Sequence, residues 1–167
     1  ASYRRQRQMC IRDRILDAGV SLVCTYSLML LHGTDFKDPD YREKYQIKGK
    51  HRIVPLNFGE YDGYRVFDIE ETGIENKDMS FDDYLWIRGL ALMVEVLHNS
   101  RPFDALFRHA NSYGVKIFEF IMRAYNSIDR APGRVKEVFS GFMDETRNEL
   151  WESADELMEH YLSLIHI

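Results

Sequence analysis

The uncharged run VSLVCTYSLMLL, Val20 to Leu31, constrains the fold more than any other stretch of the chain. A run apolar on both faces reads as a strand buried on both sides, the pattern of parallel strands in α/β proteins. It breaks at His32-Gly33-Thr34, restarts as a short helix behind Asp38-Pro39, and returns extended through His51 to Leu56. No other stretch reads as a strand of that kind. The parallel sheet that should flank Leu22 to Leu30 is missing, so the expectation is an α+β, mostly α fragment of a larger protein. If about five side chains of the run were meant to lie against absent strands and helices, each one left wet forfeits roughly 1.5–3 kcal/mol. The total rivals the stability of a whole domain.

With 167 residues, 45% of them apolar and 13% aromatic, the chain can bury one core of its own. A formal charge of -5 argues against a general nucleic-acid or acidic-membrane binder, since both need clustered Lys and Arg. No apolar run reaches the roughly 18 residues of a transmembrane helix. The expectation is a cytoplasmic protein with neither nucleic acid nor membrane as partner. Two cysteines, Cys10 and Cys24, provide neither a disulfide framework nor a zinc ligand set.

Both ends stand apart from the body. ASYRRQRQMCIRDR and LSLIHI resemble translated read-through of sequencing adapters, and residues 1–14 and 162–167 are set aside as non-native tails. The other reading of the first tail is a basic arm for nucleic acid or a membrane surface. Without residues 1–14 the net charge is -9.

Ile15 to Gly19 reads as the last turn of a helix closed by a glycine that takes the left-handed conformation. Helix, glycine and strand form half of a βαβ unit, which places His32, Gly33 and Thr34 at the carboxyl end of the strand, where α/β folds bind ligands. Asp38 caps a helix from Asp40 to Tyr45 with Pro39 at its first position. Arg52 to Leu56 and Tyr64 to Ile69 read as strands that pair as a hairpin across Asn57 to Gly63, and Glu70 to Met79 as an acidic turn region. Ser80 and Asp83 open a helix to about His98, with Phe81, Leu85, Leu92 and Val96 on its apolar stripe. Further helices run from Pro102 to Gly114, from Val115 to Ser127, and from Arg134 to Tyr161, a bundle or cap of four amphipathic helices. The divisions are therefore 15–37, 38–79 and 80–161.

The ordered string SLMLLHGTDF, EKYQIKGK, HRIVPLNFGEY, FDIEETG and DMSFDDYLWIRG resembles the C-terminal half of cobalamin-binding-domain radical SAM proteins over about Ile15 to Tyr161. The resemblance implies that Val20 to Leu31 is the last strand of a radical SAM partial (β/α) barrel and that the helices beyond Ser80 form a C-terminal extension. It implies an enzyme that cleaves S-adenosylmethionine with a [4Fe-4S] cluster, often with cobalamin in an upstream domain. The cluster-binding CxxxCxxC is absent from this chain, so the fragment holds none of these cofactors with its own ligands and is not active alone. Its partners would be the missing N-terminal part of the same protein and a small-molecule substrate. Tyr26, His32, Gly33, Thr34 and Arg52 are the candidate cofactor-binding residues.

Each candidate also has a structural reading. A strand-end turn needs glycine and a small polar residue in any case, and Arg52 beside a strand is more often solvated or ion-paired than bound to a ligand. Asp68, Glu70 and Glu71 read as a solvated strand edge, and Asp144, Glu145 and Glu149 as the outer face of a helix. Cys24 reads as a small hydrophobe. His98, His109 and His160 have no metal-ligand spacing. The function outside this family is a free-standing helical protein–protein interaction module whose Phe-rich faces between Phe103 and Met122 bind a partner helix.

Overall fold

The first helix, α1 (Tyr3–Asp17), stops where the sequence turns to glycine: Gly19 has φ +76°, its N–H donates to Leu16 O at 3.0 Å and that of Val20 reaches Ile15 O at 3.4 Å. The computed structural model describes residues 3–165, so Ala1, Ser2, His166 and Ile167, all within the segments set aside as tails, lie outside the described residues. Most of residues 1–14 belongs to α1. Arg12 is buried there, with Nη2 donating to Thr25 Oγ1 at 3.0 Å.

The chain is α+β and mostly helical. After α1 come β1 (Leu28–Met29), α2 (Pro39–Tyr45), β2 (Lys48–Tyr61), β3 (Tyr64–Glu75), α3 (Phe81–Val94), α4 (Asp104–Ser112), α5 (Ile117–Asn126), α6 (Gly133–Asn148) and α7 (Ala154–Ile165). These elements fall into two compact units. One comprises the residues up to Tyr26 with Asp82–Asp144, and the other Ser27–Phe81 with the residues from Glu145 onward. The expected helical portion 80–161 is divided between them.

The first unit has an apolar core of Leu16, Val23, Leu90, Val94, Phe118, Ile121 and Tyr125, drawn from α1, the segment after it, α3 and α5. On α3 the buried stripe includes Leu85, Leu90 and Val94, whereas Val96 of the expected stripe is exposed. Gly89 lets α5 approach: a Cβ there would meet Tyr125 Oη at 2.7 Å, and that hydroxyl donates to Trp86 O at 3.0 Å. Beyond α3 the backbone widens into a π turn, Glu95–Asn99.

The second unit is built on an antiparallel sheet of order β1-β3-β2. Here the sequence reading of Val20 to Leu31 is corrected. The residues from Val20 to Ser27 form no ladder, and only Leu28 and Met29 pair, opposite Gly73 and Thr72, antiparallel rather than parallel. The run is not apolar on both faces: Ser21, Thr25 and Ser27 interrupt it at alternate positions, which is the pattern of a one-sided strand.

The hairpin is longer and its turn tighter than expected. Asp62 and Gly63 both have positive φ, 51° and 81°, the geometry of a two-residue turn that matches strand twist, so Tyr61 pairs directly with Tyr64. The register shifts between Ile53 and Phe58, around Pro55, which has no N–H to give a ladder. Glu70 to Glu75 is strand, not turn. The single helix expected from Arg134 to Tyr161 is two: the chain breaks after Asn148, His51 and Trp151 exchange backbone hydrogen bonds at 2.8 Å, and Ser153 Oγ caps α7 by accepting from Glu156 N at 3.1 Å. The apolar spacing continues through the break, but burial of Leu150 and the bridge to β2 override it.

Candidate functional site

Glu70 and Glu71 stand next to each other on β3, the central strand of its sheet. Consecutive strand residues point to opposite faces, so the two carboxylates meet different cations. Glu70 Oε1 accepts from Arg52 Nε at 2.5 Å, directly across the ladder, and Arg52 Nη1 donates to Glu149 Oε1 at 3.0 Å. The side chains of Arg52 and Glu70 are only 13% and 8% exposed. Burial disfavours the Arg52 charge, but the hydrogen bond to Glu70 and the charges of Glu149 and Glu70 outweigh it and raise the guanidinium above its ordinary value.

Glu71 pairs with Lys37 and, at 2.8 Å, with Arg42. Burial opposes its ionisation, but hydrogen bonds and charge from Lys37 and Arg42 prevail and hold the carboxyl below its ordinary value. Gly49 leaves the space this needs, since a Cβ there would collide with the Glu71 carboxylate and meet Leu30 Cδ1 at 2.8 Å. The Glu71 carbonyl accepts from Leu30 N at 2.8 Å. One residue therefore anchors both ends of the segment that carries the His32-Gly33-Thr34 turn: Leu30 before it by the main chain, Lys37 after it by the side chain.

Within that turn Gly33 has φ +80°, a conformation few other residues take, and Thr34 Oγ1 donates to Leu31 O at 2.7 Å. His32, Gly33 and Thr34 are all exposed, and Tyr26, at 87%, is more so. Of the five candidates, the structure thus brings three into one clamped, solvent-facing turn. Arg52 belongs to the buried ion-pair network, its Nε and Nη1 committed to carboxylates of the chain itself. Tyr26 lies in the other unit.

The reading of Glu70 and Glu71 as a solvated strand edge is corrected, whereas Glu149 keeps about a third of its side chain exposed while it accepts from Arg52. The sequence signal that identifies Glu70 and Glu71 is two adjacent acids within an alternating strand, where one must face inward. Lys37 and Arg42 carry no such local signal. Cys24 is exposed rather than packed, and Asp68 remains exposed, accepting from Asn57 Nδ2 at 3.2 Å.

A cavity of about 480 Å³ opens on the same unit, lined by Ile53, Phe58, Val66, Phe67 and Tyr161 with Glu60 and Arg65 at its edge. Phe67 and Tyr161 meet edge to face at 6.1 Å. Among the described residues no group of three or more His, Cys, Asp or Glu side chains is placed to hold a metal ion, and no helix is long and apolar enough to cross a membrane. No protein-family model matches the chain, and no curated protein matches it.

Proposed function

We propose that this chain is the C-terminal portion of a radical SAM enzyme of the cobalamin-binding type. The observation that carries the reading is the exposure of the apolar run before the Gly-Thr turn. Val20, Leu22, Tyr26, Leu28, Met29 and Leu31 are all exposed, Leu22 at 60%. Covering such side chains is worth roughly 1.5–3 kcal/mol each, which favours docking against strands from an upstream segment. The ordered string from SLMLLHGTDF to DMSFDDYLWIRG resembles cobalamin-binding-domain radical SAM proteins, in which upstream barrel strands would cover this run.

The residues present do not fit a [4Fe-4S] cluster: the chain has two cysteines, Cys10 and Cys24, in no cluster-binding spacing. The cluster, and with it the radical chemistry, belongs to the proposed upstream part. The exposed positions His32, Gly33 and Thr34 would line the mouth for S-adenosylmethionine or substrate, with the turn held in place through Glu71. Arg52 would act by positioning β2 against β3.

The test is to read the coding DNA across the junction before Ile15 with reads that contain no adapter. An open frame bearing CxxxCxxC, with a cobalamin-type domain before it, is the expected result. A start codon close to Ile15 would overturn the reading and leave the helical interaction module, for which the exposed Phe103 and Leu106 on and beside α4 speak.

A further inference from the structure

Two neighbouring rungs of the hairpin decide what its cavity can hold. Phe58 lies opposite Phe67, and Glu60 lies opposite Arg65. Residues directly opposite share a face of the sheet, and so do residues two apart on one strand. The aromatic rung and the charged rung therefore stand on one face, about 7 Å apart along the strands. All four residues line the cavity of about 480 Å³. Sites for small molecules occupy about 300–1,000 Å³.

One wall of the cavity is held firmly. Tyr161 of α7 meets Phe67 edge to face at 6.1 Å and is backed by Trp151 at 6.4 Å and His160 at 5.2 Å. Trp151 is in turn tied to β2 by the main-chain bonds it exchanges with His51 at 2.8 Å. On the open side the Phe58 side chain is 75% exposed, apolar surface that an occupant would cover. The mouth carries one charge of each sign. Glu60 Oε2 and Arg65 Nε are 3.8 Å apart, with side chains 63% and 56% exposed. So long and wet a pair contributes little, and each member can take a further partner at small cost. A purely anionic ligand drawn to Arg65 would sit beside the Glu60 carboxylate, and a purely cationic one drawn to Glu60 would sit beside the guanidinium. A ligand with ammonium and carboxylate on adjacent atoms meets both with the right sign.

We propose that this cavity binds a free aromatic α-amino acid, with its ammonium on Glu60, its carboxylate on Arg65 and its ring among Phe58, Phe67 and Tyr161. The α-carbon brings both charges to one rung of the hairpin, and the side chain reaches back to the next. Three aromatic walls favour a ring over an aliphatic chain, since ring pairs gain from stacked or edge contacts beyond the area they bury. The inference stands on the register of the hairpin and the lining of its cavity, goes beyond the family reading and does not rest on it.

The test titrates the full chain, with isotope-labelled isoleucine and valine methyl groups, with L-phenylalanine. Saturable shifts are expected at Ile53 and Val66 and not at Ile121, with a Kd of about 1 mM for a ligand of this size. 3-Phenylpropanoate, which lacks the ammonium, and 2-phenylethylamine, which lacks the carboxylate, should each bind about fivefold more weakly. L-Leucine should bind about threefold more weakly. Glu60→Gln should bring 3-phenylpropanoate level with L-phenylalanine and leave 2-phenylethylamine weak, and Arg65→Gln should do the reverse. Both side chains are more than half exposed, and unmoved methyl groups at Ile69 and Ile74 in each free variant show that the unit keeps its fold. Absence of saturable shifts up to about 10 mM would overturn the proposal. So would equal binding of all four probes, which makes the cavity a plain apolar slot, or variants that fail to exchange the preference. Shifts that grow with protein concentration in the absence of any ligand would also overturn it, by assigning this face to a second copy. None of these outcomes depends on what lies upstream of Ile15.

Discussion

In the first unit Leu16, Leu90 and Ile121 are fully buried, and the groups around them are Val23, Val94, Phe118 and Tyr125. The second unit buries Leu30, Ile74, Leu150 and Leu157 as well, but on β3 it also buries Glu70 and Thr72, and the Glu71 side chain is 7% exposed between two cations. Both arrangements take side chains out of water, but the gain comes from different sources. Hydrocarbon burial is non-directional and indifferent to pH. A buried carboxylate is tolerated only while its partner is present and charged, so removing one member strands the other. Cohesion in the first unit should therefore depend chiefly on volume, and in the second on matching charges as well as on its buried aliphatic side chains.

The chain offers a direct way to read the two separately. It has two tryptophans, Trp86 in the first unit and Trp151 in the second. Trp151→Phe leaves an indole reporter on α3, and Trp86→Phe leaves one beside β2. The largest effect should come from Ile121→Ala, which opens a cavity in the fully packed core. Denaturant unfolding followed by Trp86 should show a loss of about 3–4 kcal/mol, within the range for large-to-small substitutions at buried sites. A loss below about 1 kcal/mol would mean that the first unit does not rest on this cluster.

Arg52→Met probes the other unit. It keeps most of the volume and leaves Glu70 buried without its cation, and the expected loss is about 2–3 kcal/mol, followed by Trp151. The comparison is sharpened by adding Glu70→Gln and Glu149→Gln to the same chain. If charge matching is the cause, the triple variant should regain much of the loss. If Arg52 acts by its hydrocarbon alone, Arg52→Met should be nearly neutral and the triple variant worse.

This contrast also explains which parts of the molecule were legible in the sequence. The stops and starts were: Gly19, Asp38-Pro39 and Gly114 act through their own backbones, and their effect is written where they stand. The amphipathic helix read from Val115 to Ser127, α5 in the structure, was legible because a core of hydrocarbon needs only periodicity. The partners of Glu70 and Glu71 were not, because Arg52, Lys37, Arg42 and Glu149 reach them only through the register of the hairpin and the break between α6 and α7. That break was itself hidden, since Leu150, Trp151, Ala154 and Leu157 keep helical spacing while the backbone of Trp151 pairs with His51. In Val20 to Leu31 the apolar content masks the polar residues Ser21, Thr25 and Ser27 on one side, so composition suggests a two-sided strand where only Leu28 and Met29 pair. In the candidate site, the Gly-Thr turn was found from its place in the chain, and the Glu71 clamp that holds it was found only in three dimensions.

Acid supplies the last and smallest test. The Glu71 carboxyl titrates below its ordinary value of 4.5 in the folded chain, because hydrogen bonds and charge from Lys37 and Arg42 outweigh its burial. A depressed folded value means that the unfolded state binds the proton first as the pH falls. The stability due to Glu71 is therefore fully present above pH 4.5 and is lost progressively as the pH drops through that value toward the folded one. Lys37 and Arg42 remain about a quarter exposed, so water screens part of the interaction and the effect should be smaller than that of Arg52→Met. On titration from pH 6 toward pH 3, the Trp151 signal of Trp86→Phe should shift toward the unfolded value at higher pH than the Trp86 signal of Trp151→Phe. Glu71→Gln should reduce the slope of stability against pH for the second unit in this window and leave the first unchanged. Coincident acid transitions in both single-tryptophan chains, unmoved by Glu71→Gln, would show that the two units share one source of cohesion and that the Lys37–Glu71–Arg42 clamp is only a surface contact.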